Sequence, residues 1–174
     1  MRVIIMALLL GMISAVQAVA QAPVDLDRLD DKLIRHVESE MPGWKHKRGE
    51  PIPGSKNVLI EFWSFSNRVV KISIVPYGSA QEAREVLQRF KKYNIQKEEL
   101  TGLGDDAYGS GYGFSNVTFT KGKFIMYVST YAEVDSDPDA RMLSQVERGN
   151  RERAEMRRLS REFAKHLADA MDLL

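Results

Sequence analysis

The chain has 174 residues, with 25 lysines and arginines, 24 aspartates and glutamates, and no cysteine. A net charge this close to zero gives the protein no bulk attraction to nucleic acid or to a membrane surface. The lack of cysteine excludes thiol catalysis, thiolate metal ligands and a lipid anchor carried on cysteine.

The N-terminus, residues 1–20, has the three-part layout of a cleavable secretory signal peptide. Arg2 precedes an apolar run at 3–13, and small residues follow as far as Ala20. Because the apolar run is shorter than the roughly 18 residues that a membrane span needs, we predict cleavage after Ala20 in preference to an uncleaved anchor. We therefore expect an exported protein, periplasmic or secreted. Its single domain would cover 21–174, with no transmembrane segment after cleavage.

A first amphipathic helix is predicted at the start of the mature chain. Apolar residues recur at helical spacing from Leu26 to Val37, and acidic residues concentrate at the N-terminal end, where the helix dipole favours them. Pro42-Gly43 ends the helix. The polar stretch at 45–56 is predicted to be a loop.

A β-hairpin and a second helix are predicted next. Over 57–77, apolar and polar residues alternate on both sides of a turn at 66–68, which indicates two strands with one buried face. Ser79 and Glu82 then form a capping-box pattern. The helix that they begin runs to about Tyr93.

A second hairpin and the longest helix complete the predicted elements. The strands cover 116–120 and 124–131 and are joined by Lys121-Gly122, and the helix runs from about Ser144 to the C-terminus. The order is helix, hairpin, helix, hairpin, helix. This order predicts an α+β fold with an antiparallel sheet of two β-hairpins, four strands or more, and helices packed on one face.

The glycine-rich passage at 102–113 formally contains a dinucleotide-binding fingerprint. That motif needs a strand before the turn and a helix after it, whereas here a helix precedes and a strand follows. No helix N-terminus is then available for a pyrophosphate. We predict that the glycines permit positive φ in a tight connection, with Asp105 or Asp106 accepting backbone N–H bonds.

The same passage carries a resemblance to known domains. Gly102-Leu103-Gly104-Asp105-Asp106-Ala107-Tyr108, followed by Val117 to Lys123, resembles an arrangement in exported bacterial domains of unknown function. In those domains a glycine-aspartate turn leads into a hairpin with a Lys-Gly or Arg-Gly tip, and some resemble the fold of the PsbP and Mog1 proteins. The resemblance covers about a fifth of the chain and implies an α+β fold without transferring an active site.

No metal site or cofactor is predicted. Asp135, Asp137 and Asp139 alternate as in a calcium loop, but Ala140 and Val146 stand where such a loop needs glycine and glutamate. A solvated acidic linker is therefore favoured over calcium binding. The three histidines, His36, His46 and His166, lack the spacing of a zinc motif.

No catalytic residue is predicted. Ser110 is flanked by glycines, but its surroundings lack the outer glycines of a nucleophile elbow. A hydrolase assembled from Ser110, His46 and Asp106 remains an open alternative. The last helix carries seven basic residues between Arg148 and Lys165, interleaved with acidic ones. A charged solvent face is favoured there, and a patch for phosphate or acidic lipid is the alternative.

Aromatic and acidic residues in or beside the predicted sheet are the candidate binding residues. They are Trp63, Phe65, Asp105, Asp106, Tyr108, Tyr112 and Phe114. Aromatic residues on a solvent-exposed sheet face can mark a binding surface. Packing beneath the polar loop is the alternative explanation and is favoured.

The leading functional hypothesis is a non-enzymatic binding or accessory module of the cell envelope. Its partner would be a protein or a small apolar ligand, bound on the open sheet face and the loop at 102–113. One alternative is an envelope hydrolase that uses Asp105, Asp106 or Glu61 as acid or base. Another is a purely structural envelope protein.

Overall fold

A computed structural model describes residues 26–50, 58–134 and 138–172. The predicted leader at 1–20 lies outside the described residues, as does the second half of the predicted loop, at 51–56. The first half of that loop contains a strand, Lys45–Arg48. Asp135 and Asp137 of the acidic stretch also lie outside the described residues.

The described residues form three α-helices, seven strands and two short 3-10 helices. The helices are α1 (Leu26–Glu40), α2 (Ala80–Tyr93) and α3 (Gln145–Asp172). The strands are β1 (Lys45–Arg48), β2 (Leu59–Phe65), β3 (Arg68–Pro76), β4 (Lys97–Leu100), β5 (Asp106–Ser110), β6 (Asn116–Lys121) and β7 (Phe124–Ala132). The 3-10 helices span Tyr112–Phe114 and Pro138–Met142. None of the described helices combines the length and the apolar character that crossing a bilayer requires.

All seven strands form one antiparallel sheet in the order β1-β2-β3-β7-β6-β5-β4. The predicted α+β class with an antiparallel sheet is confirmed, and the helices pack against the sheet. The two predicted hairpins are β2-β3 and β6-β7. They meet through β3 and β7, where Ile72 lies opposite Val128.

Three strands were not predicted, and each lacks a strong apolar alternation. β1 reads Lys-His-Lys-Arg and β4 reads Lys-Glu-Glu-Leu, and both are edge strands of the sheet. Charged residues are common on edge strands because they discourage pairing with other chains. β5 reads Asp-Ala-Tyr-Gly-Ser and lies inside the glycine-rich passage. These segments gain strand structure from their neighbours in the sheet and not from their own sequence pattern.

The sheet has helices on both faces, which corrects the expectation of helices on one face. Along β7, Met126 and Val128 belong to the large core beneath α1 and α3, whereas Ile125 packs with Ala83 and Leu87 of α2. Because side chains alternate along a strand, these residues point to opposite faces. α2 therefore covers the second face of the sheet.

The larger core lies between the sheet and the pair α1 and α3. Trp63 of β2, Phe119 of β6 and Phe163 of α3 are among its fully buried side chains. Each buried side chain of this size contributes about 1.5–3 kcal/mol relative to an exposed one. This core holds α1 and α3 on the sheet without any disulfide.

The glycine-aspartate turn before β5 has the structural role that the sequence predicts. Gly102 and Gly104 adopt φ values of +73° and +60°. The Asp105 backbone N–H donates to Thr120 O at 2.7 Å, and its carboxylate accepts from Gly122 N at 2.8 Å. The turn is therefore fastened to the tip of the β6-β7 hairpin.

Substitution of the two turn glycines should separate backbone strain from steric overlap. A Cβ on Gly104 would lie 2.2 Å from Thr120 O, whereas a Cβ on Gly102 meets nothing within 4 Å. We expect Gly104→Ala to lower the free energy of unfolding by about 2–4 kcal/mol and Gly102→Ala by about 1 kcal/mol. Urea unfolding followed by circular dichroism measures both, and equal losses would show that the turn tolerates the overlap.

Candidate functional site

A groove of about 460 Å³ lies between the C-terminal half of α2 and the sheet. Its walls are mainly aromatic and aliphatic, with hydroxyl and amide groups among them, and none of the lining side chains is charged. The lining residues are Val75, Tyr77, Phe90, Asn94, Tyr108, Ser110, Gly111, Asn116, Thr118, Ile125 and Tyr127.

The floor of the groove is a row of cross-strand neighbours. Tyr108 of β5 lies opposite Thr118 of β6, which lies opposite Tyr127 of β7. Residues directly opposite each other in a sheet share a face, so the two tyrosines flank the threonine on the face that α2 covers. Phe90 of α2 and Asn94, just beyond its last turn, are four residues apart and overhang this row.

The polar groups of the groove are neutral at ordinary pH. Asn94 Nδ2 donates to Tyr108 Oη at 3.2 Å and to Phe90 O at 3.0 Å, so it fastens the end of α2 to the floor. Burial raises the pKa of Tyr77 and of Tyr127 above the usual value for a phenol. The hydroxyl of Thr118 is shielded from solvent and has no hydrogen-bond partner among the described residues.

Tyr108 is one of the predicted binding residues and lines this groove, whereas two others lie on the opposite face. Trp63 is fully buried in the larger core, with its ring 4.7 Å from that of His46 and 6.3 Å from that of Phe163. Phe65 is half-exposed at the end of β2 and packs on Trp44 at 5.9 Å. Trp63 and Phe65 therefore pack against other aromatic side chains of the fold and do not line the groove.

Tyr112 and Phe114 pack beneath arginines of α3. The Arg153 guanidinium lies 5.0 Å from the Tyr112 ring and donates to its hydroxyl, and the Arg157 guanidinium lies 5.4 Å from the Phe114 ring. Cation–π contacts of this kind stabilise packing by about 0.5–1 kcal/mol at exposed sites. Both aromatic residues thereby link the loop after β5 to the last helix.

Asp105 and Asp106 make contacts inside the fold. Asp105 holds the hairpin tip described above. Asp106 accepts from Lys91 Nζ at 2.5 Å and from Gln88 Nε2 at 2.7 Å, and Glu99 accepts from the same lysine at 2.6 Å. Burial alone would lower the pKa of Lys91, but its hydrogen bonds to the two carboxylates raise it above the usual value.

Several basic residues of α3 form ion pairs with acidic residues of the same chain. Arg157 and Arg161 both donate to Glu98 of β4 at 2.7 Å. Arg158 donates to Glu155 at 2.9 Å and to Glu162 at 2.6 Å. The Arg158 pairs lie within α3, as expected for a charged solvent face, whereas Arg157 and Arg161 tie the helix to β4.

The structure does not bring the residues of the proposed hydrolase together. Ser110 lies on β5 in the groove, whereas His46 lies on β1 at the other end of the sheet. His46 instead contacts Glu61 of β2, which the sequence analysis names as a candidate acid or base of a hydrolase. Arg48 of β1 lies 3.5 Å from Glu61 and is paired with Asp30 of α1.

Glu61 and His46 contact each other inside the fold. The side chains of Asp30 and Glu61 are fully buried. Burial raises the pKa of Glu61 to about 7, although the Arg48 guanidinium opposes this change, and burial lowers the pKa of His46. Burial thus favours the neutral form of each group in this contact.

Two other histidines that are distant in the chain are neighbours in space. His36 of α1 and His166 of α3 lie near Asp169 of α3. The spacing rules applied to the sequence concern ligands on one element and do not detect such a group.

Comparisons of the chain with protein-family models, with curated proteins and with solved structures found no match. The site is therefore interpreted from its own geometry.

Glu61 should make the folded protein less stable as the pH rises. Its pKa is about 7 in the fold against a usual 4.5, so the folded state holds the extra proton between these values. This stability is complete below pH 4.5 and is lost as the pH rises through about 7. We expect the melting temperature of the wild type to fall by several degrees relative to that of Glu61→Gln between about pH 5 and about pH 8, because the lowered pKa of His46 has an opposite effect in both proteins.

Thermal melts followed by circular dichroism across this pH range measure the effect. Glu40→Gln, a change of an exposed glutamate at the end of α1, serves as the matched control and should keep the wild-type slope. An unchanged slope in Glu61→Gln would show that other groups carry the pH dependence.

The two carboxylates that hold Lys91 should contribute unequally to stability. The Asp106 carboxylate is 26% exposed and that of Glu99 is 61% exposed, while the Lys91 side chain is nearly buried. We expect Asp106→Asn to cost about 1–3 kcal/mol, and Glu99→Gln less than about 1 kcal/mol, because water replaces the exposed partner. Urea unfolding measures both values, and a larger loss in Glu99→Gln would contradict the assignment.

Proposed function

We propose that this protein is a non-enzymatic binding module of the cell envelope that holds a small, uncharged and largely apolar ligand in the groove between α2 and the sheet. The observation that carries the proposal is the composition of the groove. Its walls are aromatic and aliphatic, its polar groups are neutral amides and hydroxyls, and none of its lining side chains is charged. Burying a charged ligand against such walls is unfavourable, so a neutral ligand is preferred.

The size and exposure of the walls support this proposal. A volume of about 460 Å³ falls in the range of about 300–1,000 Å³ that is typical of small-molecule sites. Phe90 on α2 and Tyr127 on the sheet are 45% and 36% exposed. A ligand between them would remove apolar surface from water on both sides, which is the main source of affinity in such grooves.

A few polar groups would orient the ligand. Asn94 and Asn116 place side-chain amides at the groove. Thr118, in the floor, adds a hydroxyl that has no hydrogen-bond partner among the described residues. This hydroxyl would be satisfied by a carbonyl or hydroxyl group of a ligand, reached by rotation of the Thr118 side chain. An apolar body with one or two hydrogen-bonding groups is the ligand chemistry that these residues fit. The predicted leader at 1–20 supports placement in the envelope.

A catalytic function is the second candidate, and one observation favours it. Glu61 lies against His46, and its pKa of about 7 suits a general acid or base at neutral pH. Against this function, the Glu61 side chain is fully buried beneath α1. A substrate would reach it only after α1 moved, so the pair is better explained as a structural contact.

Binding of a fluorescent apolar probe tests the proposal. We expect N-phenyl-1-naphthylamine to bind the mature protein and to shift the amide NMR signals of Tyr108, Thr118 and Tyr127. Phe90→Ala should weaken binding by about tenfold, because it removes one wall. Tyr93→Ala is the matched control, since this aromatic residue of the same helix is 80% exposed and does not line the groove.

The outcomes distinguish the hypotheses. Equal binding by the Phe90→Ala and Tyr93→Ala variants, or signal shifts confined to β1 and β2, would contradict a ligand in this groove. Native mass spectrometry of the gently purified protein adds an independent readout. A small-molecule adduct supports a ligand carrier, a co-purifying protein mass favours a protein partner, and a bare monomer that does not bind the probe favours a structural role.

A further inference from the structure

We infer that His36, His166 and Asp169 form a binding site for a divalent transition-metal ion, most suitably Zn²⁺, that joins α1 to α3. One ligand atom from each residue lies within 4.8 Å of the other two. The site lies on the helices that cover the larger core, whereas the groove lies on the opposite face of the sheet. The inference is therefore independent of the proposed ligand groove.

The positions of the three residues suit coordination of one ion. His166 and Asp169 are three residues apart on α3 and so share one helix face, and His36 approaches from α1. The two imidazole rings lie 5.7 Å apart at 61° in an edge arrangement and are not stacked. In a tetrahedral site with bonds of about 2.0–2.2 Å, ligand atoms lie about 3.4 Å apart, a contraction that side-chain rotation can supply.

A second observation points to a missing partner. His36 Nε2 is shielded from solvent and has no hydrogen-bond partner among the described residues. Polar atoms in such positions are normally hydrogen-bonded, and an imidazole nitrogen with a free lone pair is the commonest metal ligand in proteins. A bound cation would satisfy this nitrogen.

The donor set selects the class of metal. Two imidazoles and one carboxylate suit zinc and neighbouring transition metals, whereas calcium and magnesium require mainly oxygen ligands. Three protein ligands leave the fourth position for water. Because the ligands come from two helices, the ion would act as a cross-link in a chain that has no cysteine for a disulfide.

Titration of the mature protein with metal tests this inference. The protein is prepared without a histidine tag and is stripped with a chelator before ZnCl₂ is added. Calorimetry should show one ion per chain, and the melting temperature should rise by roughly 5 °C or more at a free Zn²⁺ concentration 100-fold above Kd. CoCl₂ as a second probe should give the intense visible bands of a four-coordinate nitrogen and oxygen site.

Three variants identify the ligands. Zn²⁺ binding should weaken by at least about tenfold in each of the variants His36→Asn, His166→Asn and Asp169→Asn. Even the mutation of a residue that only hydrogen-bonds to a metal ligand lowers metal affinity by about this factor. Asp31→Asn, a change of an exposed aspartate on α1, is the matched control and should bind as the wild type does. Asp169 is also exposed, so its variant keeps the test valid if a histidine variant unfolds.

NMR of the imidazole nitrogens adds a readout that stability does not affect. Zn²⁺ should shift the nitrogen signals of His36 and His166 and leave those of His46 unchanged. Three results would overturn the inference: no Zn²⁺ binding, unchanged Zn²⁺ binding in Asp169→Asn, or a Zn²⁺-induced shift of the nitrogen signals of His46 only.

Discussion

The pairing of β3 with β7 is the contact on which the rest of the structure depends. Nine residue pairs, from Arg68 opposite Ala132 to Pro76 opposite Phe124, join two hairpins that would each be marginal alone. Since successive side chains point to opposite faces, this register also decides which residues enter which core. A shift of β3 by one residue against β7 would place Lys71 opposite Val128, so Lys71 would enter the larger core and Ile72 would leave it.

The two faces created by this register differ in how fully they are covered. α1 and α3 together bury the first face, and its core includes residues from β2 to β7. α2 is shorter and contacts mainly β6 and β7, so it covers only part of the second face of the sheet. The groove lies at this boundary, where Phe90 and Tyr127 remain half-exposed because no further element reaches them among the described residues. A partly covered aromatic face of this kind is a common origin of binding sites.

The sequence predicted those features whose cause is local. Both hairpins carry their own alternation, and Glu82 N donates to Ser79 Oγ at 3.1 Å, as the capping pattern indicates. The positive φ of the turn glycines, and a backbone N–H bond to either Asp105 or Asp106, were also predicted. Features that depend on distant neighbours were not: β1 has no apolar alternation of its own, and it is a strand only because it pairs with β2. The groove is likewise assembled from α2 and four separate strands, so no single stretch of sequence indicates it.

The same distinction explains how α1 is held in place. Its apolar side chains, Leu29, Leu33 and Val37, supply the burial energy and turn one face of the helix to the core. Hydrophobic contact is not directional, however, and fixes the exact position of the helix less closely than polar pairs do. Directional contacts come from polar residues: Asp30 of α1 pairs with Arg48 of β1, which also reaches Glu61 of β2. On its other flank α1 presents His36 to His166 of α3. Polar contacts at both flanks therefore restrain a helix that the apolar core holds on the sheet. They are where pH, and the metal ion that we infer, would act on the fold.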